Sequence, residues 1–244
     1  MSKDHHQPLS VAVERLADRM VRSQGIDVPR LLEAVLARLH QMTGSPLPFR
    51  DDWLARWDES SLIEVDRYAS EVLDLIAQER PFTDVLGPLY MALSSRWKRQ
   101  GLGQFFTPQS IAYVLASMQV GQPKTDRVYT VADPAGGSGV MLLATAQLYF
   151  TEAGPASLRQ LSLTSIDIDP HCVAMAGAQL IWHCRLHDAP LGELKVYHGN
   201  GLGDPGQWRL CVHAEALPTA SHSREERQPP VADVPRQREL ELEP

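Results

Sequence analysis

Apolar residues along the first hundred positions recur at helical spacing. Val13, Leu16, Ala17 and Met20 share one face, and Leu32, Val35, Leu36 and Leu39 share another after Asp27 and Pro29. Gly44 and Pro46 end that second helix. Leu62, Val65, Ala69, Val72 and Ile76 step by three and four, with Asp58, Ser60 or Ser61 placed to cap the start. This seam is too short for a coiled coil and reads as one helix of a bundle. A further helix runs from near Pro88 through Tyr90, Met91, Leu93 and Trp97.

From about residue 100 strand and helix signals alternate. Arg127 to Ala132 is a short β-branched run that leads into Asp133-Pro134-Ala135-Gly136-Gly137-Ser138-Gly139, and Val140 to Tyr149 then reads as a buried helix. Leu161 to Ile168 is a second strand ending at Asp167-Ile168-Asp169-Pro170, followed by a helix from Cys172 to His187. Leu194 to Tyr197 is a third strand, ahead of His198-Gly199-Asn200-Gly201, and Arg209 to His213 reads as a fourth. Strand, turn and helix in repetition predict an α/β fold, a parallel sheet with helices on its faces. The expected division is a helical segment over residues 1–99, an α/β domain over 100–217 and a disordered polar tail over 218–244, rich in Ser, Pro, Arg and Glu.

Composition narrows the class. With 43% hydrophobic residues in 244, the chain is no disordered polymer, and no internal period marks a repeat protein. The formal charge of −7 provides no broad basic field, so any DNA contact must come from a local patch such as Arg96, Lys98 and Arg99, which otherwise suit a solvated helix end. The first residues lack the apolar run of a secretory signal, and Val140 to Phe150 falls short of the ~20 residues that span a bilayer. Three cysteines make no disulfide framework. A cytoplasmic protein without membrane partners is expected.

In open parallel sheets, ligands bind beyond the carboxyl ends of the strands. The three short motifs fall at three successive strand ends and should converge on one crevice. Glycines at the first allow a sharp turn and close backbone approach, and the helix that follows offers unpaired N–H groups to an anion. Asp167 suits a ribose diol, and the Asn200 amide suits an adenine edge, which together describe an adenosine-containing cofactor. Gly137-Ser138-Gly139-Val140-Met141-Leu142 lacks the third glycine of a nicotinamide or flavin fingerprint, and no Lys-Ser/Thr follows as in a P-loop. S-adenosylmethionine is the remaining candidate.

The order Gly103-Gln104-Phe105-Phe106-Thr107-Pro108, then the Asp133 to Gly139 loop, then Asp167-Ile168-Asp169-Pro170 resembles the adenine-specific (N-6) DNA methyltransferases, above all the modification subunits of type I restriction systems. Asp84-Val85-Leu86-Gly87-Pro88-Leu89-Tyr90-Met91 is similar to the same group, and the likeness spans roughly residues 80 to 205. The resemblance implies a class I, Rossmann-like methyltransferase fold that binds S-adenosylmethionine and acts on DNA. It implies that Phe105, Phe106, Thr107 and Pro108 wall the methionine end. Asp133, Pro134, Ala135, Gly136, Gly137, Ser138 and Gly139 would hold the amino and carboxyl groups, and Asp167 with Ile168 the ribose. Asn200 stands where the family usually has Asp beside the adenine amino group, and it keeps an acceptor oxygen.

The family also carries an Asn/Asp-Pro-Pro-aromatic motif that binds the acceptor base, and this sequence has none. Ala214-Glu215-Ala216-Leu217-Pro218 follows the fourth strand, and the only Pro-Pro pair, Pro229-Pro230, lies in the polar tail without an aromatic after it. No catalytic residue is therefore identified. The sheet is expected to be incomplete in its C-terminal half, with an edge for a partner chain or second copy to cover. His183, Cys184 and His187 are read as packing residues, since no metal-ligand spacing accompanies them. Two classes stay open: an adenine methyltransferase needing a partner for its acceptor site, and a non-catalytic DNA- or partner-binding module that keeps the fold.

Overall fold

The computed structural model describes residues 7–23, 27–44, 52–55, 57–96 and 106–216. The faces read from the sequence are the faces that become buried. Helix α1 (Leu9–Arg22) buries Val13, Leu16, Ala17 and Met20. Helix α2 (Val28–Thr43) buries Leu32, Val35, Leu36 and Leu39, and Gly44 closes it at φ 72, donating its N–H to the Gln41 and His40 carbonyls. After the single turn of α3 (Asp52–Ala55), α4 (Glu59–Gln78) starts at Asp58, whose carboxylate accepts the Ser61 N–H at 2.7 Å. Helix α5 (Leu86–Arg96) begins two residues ahead of Pro88, which leaves the proline in the first turn where no N–H is missed.

Four strands form one sheet in the order β1 (Tyr129–Asp133), β2 (Leu161–Asp167), β3 (Glu193–His198), β4 (Arg209–Glu215). β1, β2 and β3 are parallel, joined through α7 (Val140–Ala153) and α8 (Pro170–Leu186). The sheet is mostly parallel, as expected, and the fourth strand is the exception. β4 runs antiparallel to β3, pairing Glu193 with Glu215 and His198 with Arg209. Only residues 199–208 separate the two strands, and a parallel return needs a crossover of a dozen residues or more. β4 lies at one edge of the described sheet and β1 at the other, with Thr130 and Ala132 exposed.

Helix α6 (Gln109–Val120), which the sequence reading missed, packs on α7. Its small residues Ala112 and Ala116 pack on Val140 and Ala144 of α7, while Ile111, Val114, Leu115 and Met118 (78% exposed) form an outward stripe. Among the described residues, no helix is long and apolar enough to cross a membrane.

Helix α8 is buried on both flanks. Its residues from Cys172 to Ile181 are all buried, and one hydrophobic cluster runs from α1, α2 and α4 through it to the sheet. On the α2 side, His40 Nε2 donates to the Ala174 carbonyl at 2.8 Å and Trp182 Nε1 to the Leu39 carbonyl at 3.1 Å. Gly177 makes this approach possible: a Cβ there would stand 2.9 Å from both His40 Cε1 and Val212 Cγ2. Two more histidines tie α8 to the preceding helices. His183 accepts the Phe82 N–H on Nδ1 at 3.0 Å and donates from Nε2 to the Thr83 carbonyl at 2.8 Å, which fixes a neutral tautomer. His171 lies between Asp169 (3.0 Å) and Glu33 of α2 (3.1 Å), with the Trp53 ring stacked on it at 5.6 Å.

These histidines titrate in opposite senses. Burial lowers the His183 pKa to about 3. For His171 burial pulls the same way, but the hydrogen bonds and charges of Asp169 and Glu33 overcome it and raise the pKa to about 9. The unfolded reference is about 6.5 for both. His171 therefore contributes stability that is full below that reference and is lost as pH rises toward 9, while the His183 contribution is full above it and is lost as pH falls toward 3. The melting temperature is expected to peak near pH ~6.5 as far as these two groups govern it. His171→Gln should flatten only the alkaline flank of a melting-temperature profile; an alkaline flank as steep as in the parent chain would refute the assignment.

Candidate functional site

Because β1, β2 and β3 are parallel, the loops after Asp133, Asp167 and His198 leave the sheet at the same end. They interlock there. The Gly136 N–H donates to the Ile166 carbonyl at 3.0 Å and the Gly137 N–H to Asp167 Oδ2 at 2.8 Å. The Gly199 N–H donates to the Asp167 carbonyl at 2.9 Å, and His198 Nε2 to the Ile168 carbonyl at 3.0 Å. Gly201 fits against the first loop so closely that a Cβ would meet the Pro134 carbonyl oxygen at 1.9 Å.

Each glycine of the first loop has its own reason. A Cβ on Gly136 would sit 2.0 Å from Ser165 Oγ, beneath the loop on β2. Gly137 takes φ 54 under the Phe106 ring, which a Cβ would approach at 3.1 Å, and Gly139 takes φ 91 against the backbone of Ala176 in α8. Ser138 does not face the crevice: it is buried, and its hydroxyl donates to Asp84 at 2.7 Å. Pro134 and Ala135 are exposed on the crevice side of the turn.

Two carboxylates stand at neighbouring strand ends. Asp167 accepts the Gly137 N–H on one oxygen and the Asp169 N–H on the other at 2.8 Å each, so each oxygen keeps a lone pair. Asp133 accepts the Ala135 N–H at 3.0 Å; burial raises its pKa, and the negative Asp167 adds to the rise. Neither has an ion-pair partner among the described residues. Asp169 caps α8 through the His171 N–H at 2.8 Å, which makes it a turn residue as well as the partner of the His171 ring.

The remaining walls are apolar or aromatic. Phe106 packs on Tyr90 of α5 at 5.6 Å between ring centroids, and Pro108 caps α6 after a half-buried Thr107. Ile168 is 70% exposed and Leu202 94% exposed, both on strand-end loops. Asn200 is exposed, with its Oδ1 accepting the Leu202 N–H at 3.0 Å. Phe105, Lys98, Arg99 and Pro229-Pro230 lie outside the described residues. The sequence reading missed three neighbours of the site: Tyr90, Leu202 and Asp84. For Leu202 the signal was an isolated leucine in a Gly-rich loop; Asp84 and Tyr90 lay in a quoted motif without a role.

Glu193, His213 and Glu215 come within 4.8 Å of one another on β3 and β4, where Lys195 Nζ already sits 2.6 Å from Glu193. His183 spends both ring nitrogens on backbone groups and stacks on His187 at 5.4 Å.

The model of the N-6 DNA methylase family matches residues 82–216, more than half of the chain. The chain belongs to the N-6 DNA methylase family. The match takes in all four strands and the loops described above. No curated protein sequence matches. Four solved chains are similar, and two of them are these. One, from Listeria monocytogenes and described as a class I S-adenosylmethionine-dependent methyltransferase, is 15% identical, with a TM-score of 0.47 over 80% of this chain and 53% of that one. The other is a type I restriction-modification methyltransferase subunit from Streptococcus thermophilus, 14% identical, with a TM-score of 0.42 over 81% of this chain and 59% of that one. The chain thus spans less than two thirds of the length of either.

The packing under the methylase loop makes a specific forecast. Ser165 Oγ is buried without a hydrogen-bond partner, in the space a Cβ on Gly136 would need. Gly136→Ala is expected to cost about 1–3 kcal/mol through overpacking. Ser165→Ala alone should be neutral or stabilising, because it removes an unsatisfied hydroxyl. The double variant should recover much of the loss, and thermal denaturation of the three variants reads all of this.

Proposed function

We propose that this methylase-family chain binds S-adenosylmethionine across the three interlocked loops and serves methyl transfer to the exocyclic amino group of adenine in DNA. The observation that carries the reading is the pair Asp133 and Asp167. Two carboxylates stand at neighbouring strand ends without a cation among the described residues, and the pKa of Asp133 is raised by burial and by Asp167. A ligand with an ammonium group and a ribose diol relieves both: Asp133 receives the positive group, and Asp167 accepts the hydroxyls on its free lone pairs. Phe106, with Thr107 and Pro108, forms the wall at the methionine end. Pro134, Ala135 and the Gly136, Gly137 and Gly139 turn supply the floor, and Ser138 holds that turn from behind. Ile168 presents an apolar face to the nucleoside, and Asn200 turns its amide to the base edge. When bound, the cofactor supplies an electrophilic sulfonium methyl.

The acceptor side is a separate matter. An adenine amino group is a poor nucleophile whose lone pair is delocalised into the ring, and the sequence has no Asn/Asp-Pro-Pro-aromatic motif to receive it. β1 is an edge of the described sheet, and α6 carries an exposed apolar face of Ile111, Val114, Leu115 and Met118. In this reading a second polypeptide, another copy or a different chain, covers that face and brings the acceptor group. The same stripe favours the second reading, a DNA- or partner-binding module that keeps the fold without catalysis.

Calorimetric titration with S-adenosylmethionine tests the first step. Binding in the micromolar range is expected, lost by at least about a hundredfold in Asp167→Ala, which removes a charge-assisted acceptor. A folded chain that gives no heat at millimolar ligand would end the cofactor reading. Val114→Glu with Met118→Glu should leave that binding intact and abolish any concentration-dependent assembly seen by sedimentation; assembly unchanged by the pair would remove α6 from the interface.

A further inference from the structure

The glycine-rich loop is gripped from the side away from the crevice. Asp84, 4% exposed and just ahead of α5, accepts the Ser138 hydroxyl on Oδ2 at 2.7 Å. Its Oδ1 accepts the Gly87 N–H at 2.8 Å and the Gln179 Nε2 amide at 2.9 Å. Gln179, fully buried in α8, gives its other hydrogen to the Ser138 carbonyl at 2.9 Å. Its Oε1 accepts the Val85 and Leu86 N–H groups at 2.7 and 2.9 Å. The Asp84 N–H donates to Gln109 Oε1 at 3.0 Å, at the start of α6. The hydroxyl and the carbonyl of Ser138 are thus both held by one buried pair, Asp84 and Gln179.

A carboxyl in this place is costly. No cation faces Asp84 among the described residues, and burial pushes its pKa up against the pull of Gln179, Ser138 and Gly87. An asparagine would fill the same volume and keep both N–H bonds to Oδ1. It would place an amide nitrogen where Oδ2 stands, so that Ser138 accepts a neutral hydrogen bond where it now donates to a carboxylate. Hydrogen bonds to an ionised acceptor are roughly twice as strong as neutral ones. The carboxylate therefore adds grip on Ser138 at the expense of stability.

We propose that Asp84 is a positioning residue for the cofactor loop: through Ser138 it fixes the Gly137 and Gly139 turns from behind. Gly87 belongs to the same device, since a Cβ there would stand 2.3 Å from Asp84 Oδ2 and 2.8 Å from Ser138 Oγ. The inference rests on the S-adenosylmethionine reading for its effect on affinity, but not for its effect on the loop itself.

The test compares the parent chain with Asp84→Asn and Ser138→Ala in three measurements: melting temperature, amide hydrogen exchange over residues 134–140 without ligand, and calorimetric affinity for S-adenosylmethionine. Asp84→Asn is expected to melt at the same temperature or higher, because a buried uncompensated charge is gone, while the loop amides exchange about tenfold faster and affinity falls about tenfold. A merely structural role would move stability and affinity in the same direction. Ser138→Ala should show the same loop and affinity effects, and the double variant no more than either alone. If Asp84→Asn does not fold, Ser138→Ala decides: parent-like loop exchange there overturns the proposal. Parent-like loop exchange in a folded Asp84→Asn also overturns it. If the parent chain binds no S-adenosylmethionine, the cofactor reading fails separately, and the exchange measurement still decides the role of Asp84.

Discussion

The burial of α8 on both flanks is the constraint from which the rest of the arrangement follows. A helix buried from Cys172 through Ile181 needs apolar partners on every side. The sheet covers one side, and α2 and α4 cover another. The few polar groups that α8 carries are consequently matched one by one: His183 to Phe82 and Thr83, Gln179 to Asp84 and Ser138, and its Ala174 carbonyl to His40. These bonds place the helical segment behind the glycine loop. The N-terminal helices are thereby part of what shapes the crevice, because the groups that hold Ser138 come from the junction of α5 and α8.

Much of this was legible in the sequence, and the reasons differ by element. The α1, α2 and α4 faces were plain because a one-sided helix writes its burial as a period of three and four, and Asp58 marked its cap. The loops after β1, β2 and β3 were plain because glycine and proline punctuate strand ends. α6 was missed because its pattern is inverted: alanines are buried and Ile111, Val114, Leu115 and Met118 face outward, so a rule that apolar means inside has no purchase. The direction of β4 was not read from the sequence, although the short connection over 199–208 already argued against a crossover. Nothing in composition says that Ser138 turns its hydroxyl away from the crevice. That depends on Asp84, 54 residues earlier in the chain.

The two halves of the proposed reaction differ in how the fold provides for them. In the proposed reading the cofactor side draws on groups that this chain holds in register: Asp133, Asp167 and the three loops. For the acceptor side the chain offers no motif, but it has an edge strand and an apolar stripe on α6, features that monomeric surfaces generally avoid and that interfaces use.

The glycine loop also bears on how this sequence is free to drift. Gly136 is answered by Ser165, Gly137 by Phe106 and Gly139 by Ala176, three neighbours on three different elements. Enlarging residue 136 is tolerable only if residue 165 shrinks, while residues 137 and 139 are bound as well by their left-handed backbone. Variation in relatives is therefore expected to travel in pairs that link the loop to β2, to the segment before α6 and to α8, with 136 and 165 the freest couple and 139 the most nearly frozen position.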